Sequence, residues 1–262
     1  ELGQPAEAIH VLLSDTDLTP DGGPTTASRQ TFVTGNAVRH AAQALNQLIT
    51  SHLAEHFDMA PEQVRFVEGL AQVGKQTIPM AKVAEIMIAA GRKPFAAYTY
   101  WAPSTKPLGQ GGDMHFAFSF AAQAAEVEVN RNTGEVTVLR VISANDVGFA
   151  VNPLGLQGQI EGGVVMGIGH ALTEGFWVEQ GKVVTDRLAR YRIPSIMLTP
   201  EITSFVVEHA TEDGPYGAKG VGEIVIIPTV PAITNAIYHA SGVRVDSLPV
   251  DQEKIVRELA IL

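Results

Sequence analysis

Cysteine is absent from the 262-residue chain. That removes disulfides, thiolate zinc sites and iron–sulfur ligation from this polypeptide, so any iron–sulfur cluster that works with it must sit on another chain. Long hydrophobic runs are also missing. The longest candidates are broken by Gly, Glu or Pro within about ten positions, short of the roughly 18–20 apolar residues a membrane helix needs. Positive charge is scarce, with 18 basic against 28 acidic residues and a net charge of -10. No basic stripe of the kind that nucleic-acid backbones require is present. His10, His40, His115, His170 and His239, five of the eight histidines, read as structural or exposed. Glu1-Leu2-Gly3-Gln4-Pro5 has neither an initiator Met nor a signal segment, and reads as a start inside a longer protein. Absent signals point to the cytoplasm.

What remains is an ordinary globular composition, 45% hydrophobic, long enough for one large domain or two small ones. Residues 8–13 are short and apolar, as in a strand, and a polar, Gly-rich loop follows. From about Thr31 to His56 apolar residues recur at near-helical spacing and predict a long helix. A second helix is expected over 80–90, stopped by Gly91.

Residues 95–102 and 116–140 read as strands. Trp101 and Phe95 fall in the first of these as core aromatics. The second folds on Asn132-Thr133-Gly134 as a hairpin. A helix is allowed over 156–173, where the glycines at 158, 162, 163, 167 and 169 would let another backbone or a ligand come close. Strands are expected over 183–193 and 204–208, and a helix over 229–240, introduced by Pro228 and Pro231 and ended by Gly242. Strand and helix are mixed without regular alternation, so the fold class is α+β. The whole of 1–262 forms one functional region. It divides into two interleaved lobes, about 1–105 with 229–262, and about 106–228.

The stretch with most chemistry in it is Gly214-Pro215-Tyr216-Gly217-Ala218-Lys219-Gly220-Val221-Gly222-Glu223. Four of its glycines and one lysine lead to a single carboxylate. Such a loop exposes backbone N–H groups to a bulky anionic ligand, and Lys219 can add a point charge. Glu223, between Gly222 and four apolar residues, is expected to be poorly solvated, as a general base working near neutrality needs. The plainer alternative is a turn beside a solvated surface carboxylate, the commoner use of both. The spacing fits neither a phosphate-binding P-loop nor a dinucleotide fingerprint. Gln110-Gly111-Gly112-Asp113 reads as a simple connecting turn.

Gly217-Ala218-Lys219-Gly220-Val221-Gly222-Glu223 resembles the glutamate motif of the xanthine dehydrogenase/aldehyde oxidase family. Gln157-Gly158-Gln159-Ile160-Glu161-Gly162-Gly163 after Asn152-Pro153 is similar to the family segment whose Gln contacts the pterin. Gly134-Glu135-Val136, Asp146-Val147-Gly148 and Tyr191-Arg192-Ile193-Pro194 follow in family order, so the resemblance runs from residue 8 to 262. Gly22-Gly23-Pro24-Thr25-Thr26-Ala27-Ser28-Arg29-Gln30-Thr31 resembles the segment that passes beside the metal and receives the cofactor's anionic part. Small side chains leave room there. Ser28, Thr31 and the first N–H groups of the next helix can hold phosphate oxygens, or Ser and Thr can merely cap that helix.

The resemblance implies the C-terminal half of a molybdopterin-binding subunit, whole or split as in nicotinate dehydrogenase-type hydroxylases. It implies Glu223 as catalytic base, and cofactor binding by Thr26, Ala27, Ser28, Thr31, Gln159, Lys219, Gly220, Val221 and Gly222. Ala27 and Glu223 would lie near molybdenum, with no direct protein ligand to the metal. The implied reaction is oxidative hydroxylation of an N-heteroaromatic substrate of purine or nicotinate type, with oxygen from water and hydride transfer to a molybdenum-bound sulfur-type ligand. Aldehyde oxidation on the same site, or a non-catalytic cofactor-binding or assembly subunit, are the alternatives. The implied cofactor is molybdopterin, as its cytosine dinucleotide. The Arg and Gln motifs of the family's first half are absent. A second molybdopterin-binding chain carrying that N-terminal half, a [2Fe-2S] subunit and an FAD subunit are therefore the implied partners.

Overall fold

A computed structural model describes residues 1–261. The α+β class holds, and the chain divides into two compact units, residues 1–106 and 107–262.

In the first unit α1 (Gln30–His56) buries Ile49, Leu53 and Ala54 toward its C-terminal end. It begins and ends within a residue of the expected helix. Behind that end lies a meander that the sequence reading missed: β1 (Val64–Val67), β2 (Leu70–Val73) and β3 (Gln76–Pro79), paired antiparallel in that order. The β1–β2 turn is two residues, Glu68 and Gly69, both at positive φ, the geometry that matches strand twist in tight hairpins. Val64, Ala71, Val73 and Ile78 of the meander meet Val83 and Met87 of α2 (Met80–Ala89) and the α1 residues in one core. Helix α2 stops as expected. Gly91 takes φ +72° and Arg92 N–H bonds back to the Met87 carbonyl at 2.9 Å, the left-handed closure that glycine permits.

The second unit is built on β4 (Phe120–Val129) and β5 (Val136–Asp146), the expected hairpin, with β8 (Glu201–Val207) added parallel to β5. α3 (Pro153–Leu172) and α5 (Ile226–Ser241) cover one face of this sheet. The inward residues of β5, Val138, Val141, Ser143 and Asn145, are buried; the last three follow the two-residue strand period, and a register shift opposite Glu126 and Val127 takes up the extra residue between Val138 and Val141. Ile160, Val164, Ile168 and Ala171 of α3 join Ile233 and Ile237 of α5 in the core, with Ile255 of α6 (Gln252–Leu259). A two-stranded ribbon, β6 (Val178–Glu179) and β7 (Lys182–Val183), and a single turn, α4 (Leu188–Tyr191), complete the unit. Among the described residues no helix is long and apolar enough to cross a membrane.

Five expectations change. Residues 9–13 are not a strand: a 3-10 turn over Ala6–Ala8 leads into extended chain with Val11, Leu12 and Leu13 exposed, for no neighbouring strand satisfies their backbone. Residues 95–102 are irregular, and Trp101 and Phe95 are exposed rather than core; Pro94 and Pro103 bound the stretch on either side and limit its extension as a strand. Only the start of 183–193 is strand, because Leu188-Ala189-Arg190, good helix formers, turn into α4. Residues 229–262 belong with 107–228, since α5 packs on β4 and α3. Pro231 also lies inside α5 instead of before it, leaving only Pro228 in the first turn, where no N–H is needed.

Candidate functional site

The loop 214–223 is fastened along the C-terminal end of β5. Lys219 N–H donates to the Val147 carbonyl (2.9 Å) and Phe149 N–H to the Gly217 carbonyl (3.1 Å). The approach is close enough to require glycine at 148: φ is +67°, and a Cβ there would run into the Gly217 carbonyl oxygen. The residues between these bonds are buried, but the chain rises to the surface at Gly222 and Glu223, both exposed.

Lys219 does not reach outward as a free point charge. Its ammonium donates to Asp146 Oδ2 at 2.6 Å, with side-chain exposures of 7% and 13% for the pair, and stands 5.8 Å from the centre of the Phe120 ring. Burial pushes the Asp146 carboxyl up, but the Lys219 hydrogen bond and charge and the N–H groups of Gly148 and His209 outweigh it, and the carboxyl sits below its ordinary value. The lysine is engaged in holding the loop to the strand. Toward a ligand this segment offers the backbone of Gly220, Val221 and Gly222.

Glu223 is likewise not walled in by apolar side chains. Val225 is buried but Ile227 is 70% exposed, because the apolar run 224–227 is the entrance to α5 and points its residues around a helix. Whatever removes water from the carboxylate must come from beyond this stretch.

Helix α3 brings a second element to the carboxylate. Asn152 caps it through Gly155 N–H at 2.9 Å, with Pro153 at the first position. Its glycines separate into two rows. Gly163 and Gly167 lie against Val225 and Thr229 of the α5 region, whereas a Cβ on Gly158 or Gly162 would meet nothing within 4 Å. Gln159, beside the open row, donates from Nε2 to the Gly222 carbonyl at 2.7 Å. The structure thus gathers Gln159, the bare glycine row, Gly220–Gly222 and Glu223 at one place in the second unit.

Thr26, Ala27, Ser28 and Thr31 belong to the first unit. Ala27 and Ser28 both take left-handed backbone, with φ of 51° and 54°, a costly arrangement for two successive non-glycine residues that is typical of ligand-holding turns. Thr26, Ala27 and Thr31 are exposed, Ser28 half-buried. The first helical bond is Val33 N–H to the Arg29 carbonyl. Arg29 stands at the N-cap with no side-chain cap bond of its own. The first turn presents N–H groups that the helix does not use, and Arg29 Nη1 instead braces the loop through the Gly22 and Pro24 carbonyls, each at 3.0 Å.

In the second unit a row of helix surface free of side chains and a carbonyl–amide pair beside a carboxylate leave room for a large organic ligand held by hydrogen bonds. In the first unit, by itself, a strained turn ahead of a helix N-terminus suits an anionic group. Sequence reasoning missed the polar cluster behind the site, half-buried Gln123 with buried Ser143, Asn145 and Thr229. One signal was available: Gln123 is the polar member of Ala121-Ala122-Gln123-Ala124-Ala125, at a position whose parity puts it on the core face.

The sequence profile of the molybdopterin cofactor-binding domain matches residues 1–200. The chain is 32% identical over 99% of its length to a probable xanthine dehydrogenase component of Bacillus subtilis, covering 34% of that protein. It is 36% identical over 97% of its length to the gamma subunit of the 6-hydroxypseudooxynicotine dehydrogenase complex of Paenarthrobacter nicotinovorans, covering 32%. The aldehyde oxidoreductase of Desulfovibrio desulfuricans superposes on 96% of the chain with a TM-score of 0.75 and 32% identity, over 25% of its own length. The chain therefore spans about a third of the curated relatives it matches. Similar along nearly its full length to part of a xanthine dehydrogenase component and of an aldehyde oxidoreductase, and matched by the profile over residues 1–200, the chain belongs to the molybdopterin cofactor-binding domain family.

Proposed function

We propose that the chain supplies the base-bearing half of a molybdenum hydroxylase site, with Glu223 as general base. The observation that carries this is the convergence of Glu223, the Gln159–Gly222 bond and the bare row of Gly158 and Gly162 on one surface. Gln159 and the backbone of Gly220 to Gly222 hold the pterin side of the cofactor, taken as molybdopterin cytosine dinucleotide. Thr26 to Thr31 receive its anionic part, with Ala27 small enough to leave room by the metal. When bound, the molybdenum centre supplies the two-electron acceptor and the water-derived oxygen. Glu223 would accept, at its carboxylate, the proton that the water-derived oxygen gives up.

The substrate is an N-heteroaromatic compound of purine or nicotinate type. Two of the three relatives above are named for xanthine and for 6-hydroxypseudooxynicotine, which favours this class over the aldehydes of the third. Glu223 is exposed in this chain, and its pocket is completed by the N-terminal half of the molybdopterin-binding subunit, as a second chain or as the remainder of one longer subunit. Electrons leave through [2Fe-2S] and FAD subunits, as the absence of cysteine requires of any cluster.

The experiment is Glu223→Gln in the purified complex, with molybdenum content measured on the same sample. Turnover per molybdenum is expected to fall roughly 10²- to 10⁴-fold, the usual contribution of a positioned base, with molybdenum retained. An unchanged rate overturns the assignment.

A further inference from the structure

An exposed carboxylate on an irregular segment is a good base only if the backbone beneath it is fixed. Two residues beyond Glu223 that backbone is tied to the middle of the sheet. Gln123 Nε2 donates to the Val225 carbonyl at 2.8 Å and to Ser143 Oγ at 3.0 Å, and Gln123 Oε1 accepts from Thr229 Oγ1 at 2.7 Å. Ser143 Oγ also accepts from Asn145 Nδ2 at 2.9 Å. Ser143, Asn145 and Thr229 have no exposed surface at all, so this polar cluster occupies core positions that apolar side chains would fill as well.

The bond to Val225 is not needed to satisfy that carbonyl. Val225 is the N-cap of α5, and an N-cap carbonyl already receives the first helical N–H. The Thr229 hydroxyl, 3.0 Å from the same oxygen, has one proton to share between it and Gln123. Gln123 thus adds a tether across 102 residues of sequence where local structure requires none. On the other side of Glu223, Gln159 holds the Gly222 carbonyl.

We propose that Gln123 and Thr229 are positioning residues, which fix the Val225 end of the segment bearing Glu223 and so aim its carboxylate. This rests on the reading of Glu223 as the base. Thr229→Val removes the hydroxyl with little change of shape, Thr229→Ser keeps it, and Gln123→Leu removes the tether.

The test compares these three with Glu223→Gln in the molybdenum-loaded complex. The readouts are kcat per bound molybdenum, KM, thermal stability, and amide hydrogen exchange of residues 221–226 against β5. For Thr229→Val and Gln123→Leu we expect kcat per molybdenum to fall roughly tenfold to a hundredfold, the cost of a misplacement of about 1 Å. KM should change little, exchange at 221–226 should rise about tenfold with β5 unaffected, and Thr229→Ser should restore both. A lower melting temperature with wild-type kcat per molybdenum and wild-type exchange at 221–226 would make the cluster merely structural and overturn the proposal. Should Gln123→Leu not assemble, the Thr229 pair decides alone. If Glu223→Gln keeps full turnover, the base reading fails instead, and the exchange data still report whether the tether exists.

Discussion

The Lys219 ammonium meets the Asp146 carboxylate at 2.6 Å, joining the loop that carries Glu223 to the end of the central strand β5. Cutting away one partner of so buried a pair leaves the other charge uncompensated. Lys219→Met is therefore expected to destabilise the chain by about 3 kcal/mol, read from denaturant midpoints. The pair also sets a pH dependence. The folded-state carboxyl of Asp146 lies below the ordinary 3.8, so its contribution is complete above that value and is lost as pH falls through the lower, folded one. Asp146→Asn should be less stable than wild type near pH 7, and that gap should shrink in acid. A gap independent of pH would show that the ion pair does not stabilise the loop.

Where backbones touch, a single methyl group should be felt. A Cβ on Gly167 would press on the Cβ, Cγ2 and Oγ1 atoms of Thr229. Gly167→Ala should therefore cost about 1–3 kcal/mol by overpacking, despite alanine's better helix propensity. Gly148→Ala adds a left-handed backbone to its clash with the Gly217 carbonyl and should cost at least as much. Thermal unfolding of the two variants against wild type checks both, and unchanged midpoints would mean that these close approaches are not kept in solution.

The open glycine row should behave in the opposite way. Gly162→Ala meets no atom and should raise the stability of the cofactor-free chain by about 0.5–1 kcal/mol, the propensity difference. Gly158→Leu should leave that stability little changed but lower the molybdenum and pterin retained after purification. If both cofactor contents match wild type, the cofactor does not lie over this row.

The sequence showed its regular elements where the signal was local. The long period of α1, the Asn-Thr-Gly hairpin and the glycine stops after α2 and α5 are all properties of adjacent residues. It misled where a short apolar run needed a partner it does not have, at 9–13 and 95–102. It was silent on the β1–β3 meander, whose four-residue strands are too short for periodicity to register. Of the site, the motif around Glu223 was legible as chemistry. The use of Lys219 was not, since an ammonium aimed at a ligand and one aimed at Asp146, 73 residues earlier, give the same letter in the same loop. Nor was the exposure of Glu223, because whether four apolar neighbours wall a carboxylate or wind into a helix is decided by the packing of α5.

Gln123 and Thr229 are separated by 106 residues, and this has a consequence during synthesis. At roughly 5–20 residues per second, the glutamine leaves the ribosome about five to twenty seconds before the threonine that completes its hydrogen bonds. For that interval the β4–β5 hairpin carries polar groups meant for a dry interior while still in water, where they are harmless. The face of the sheet that α5 covers is therefore completed only when α5 arrives, with the glutamate loop ahead of it.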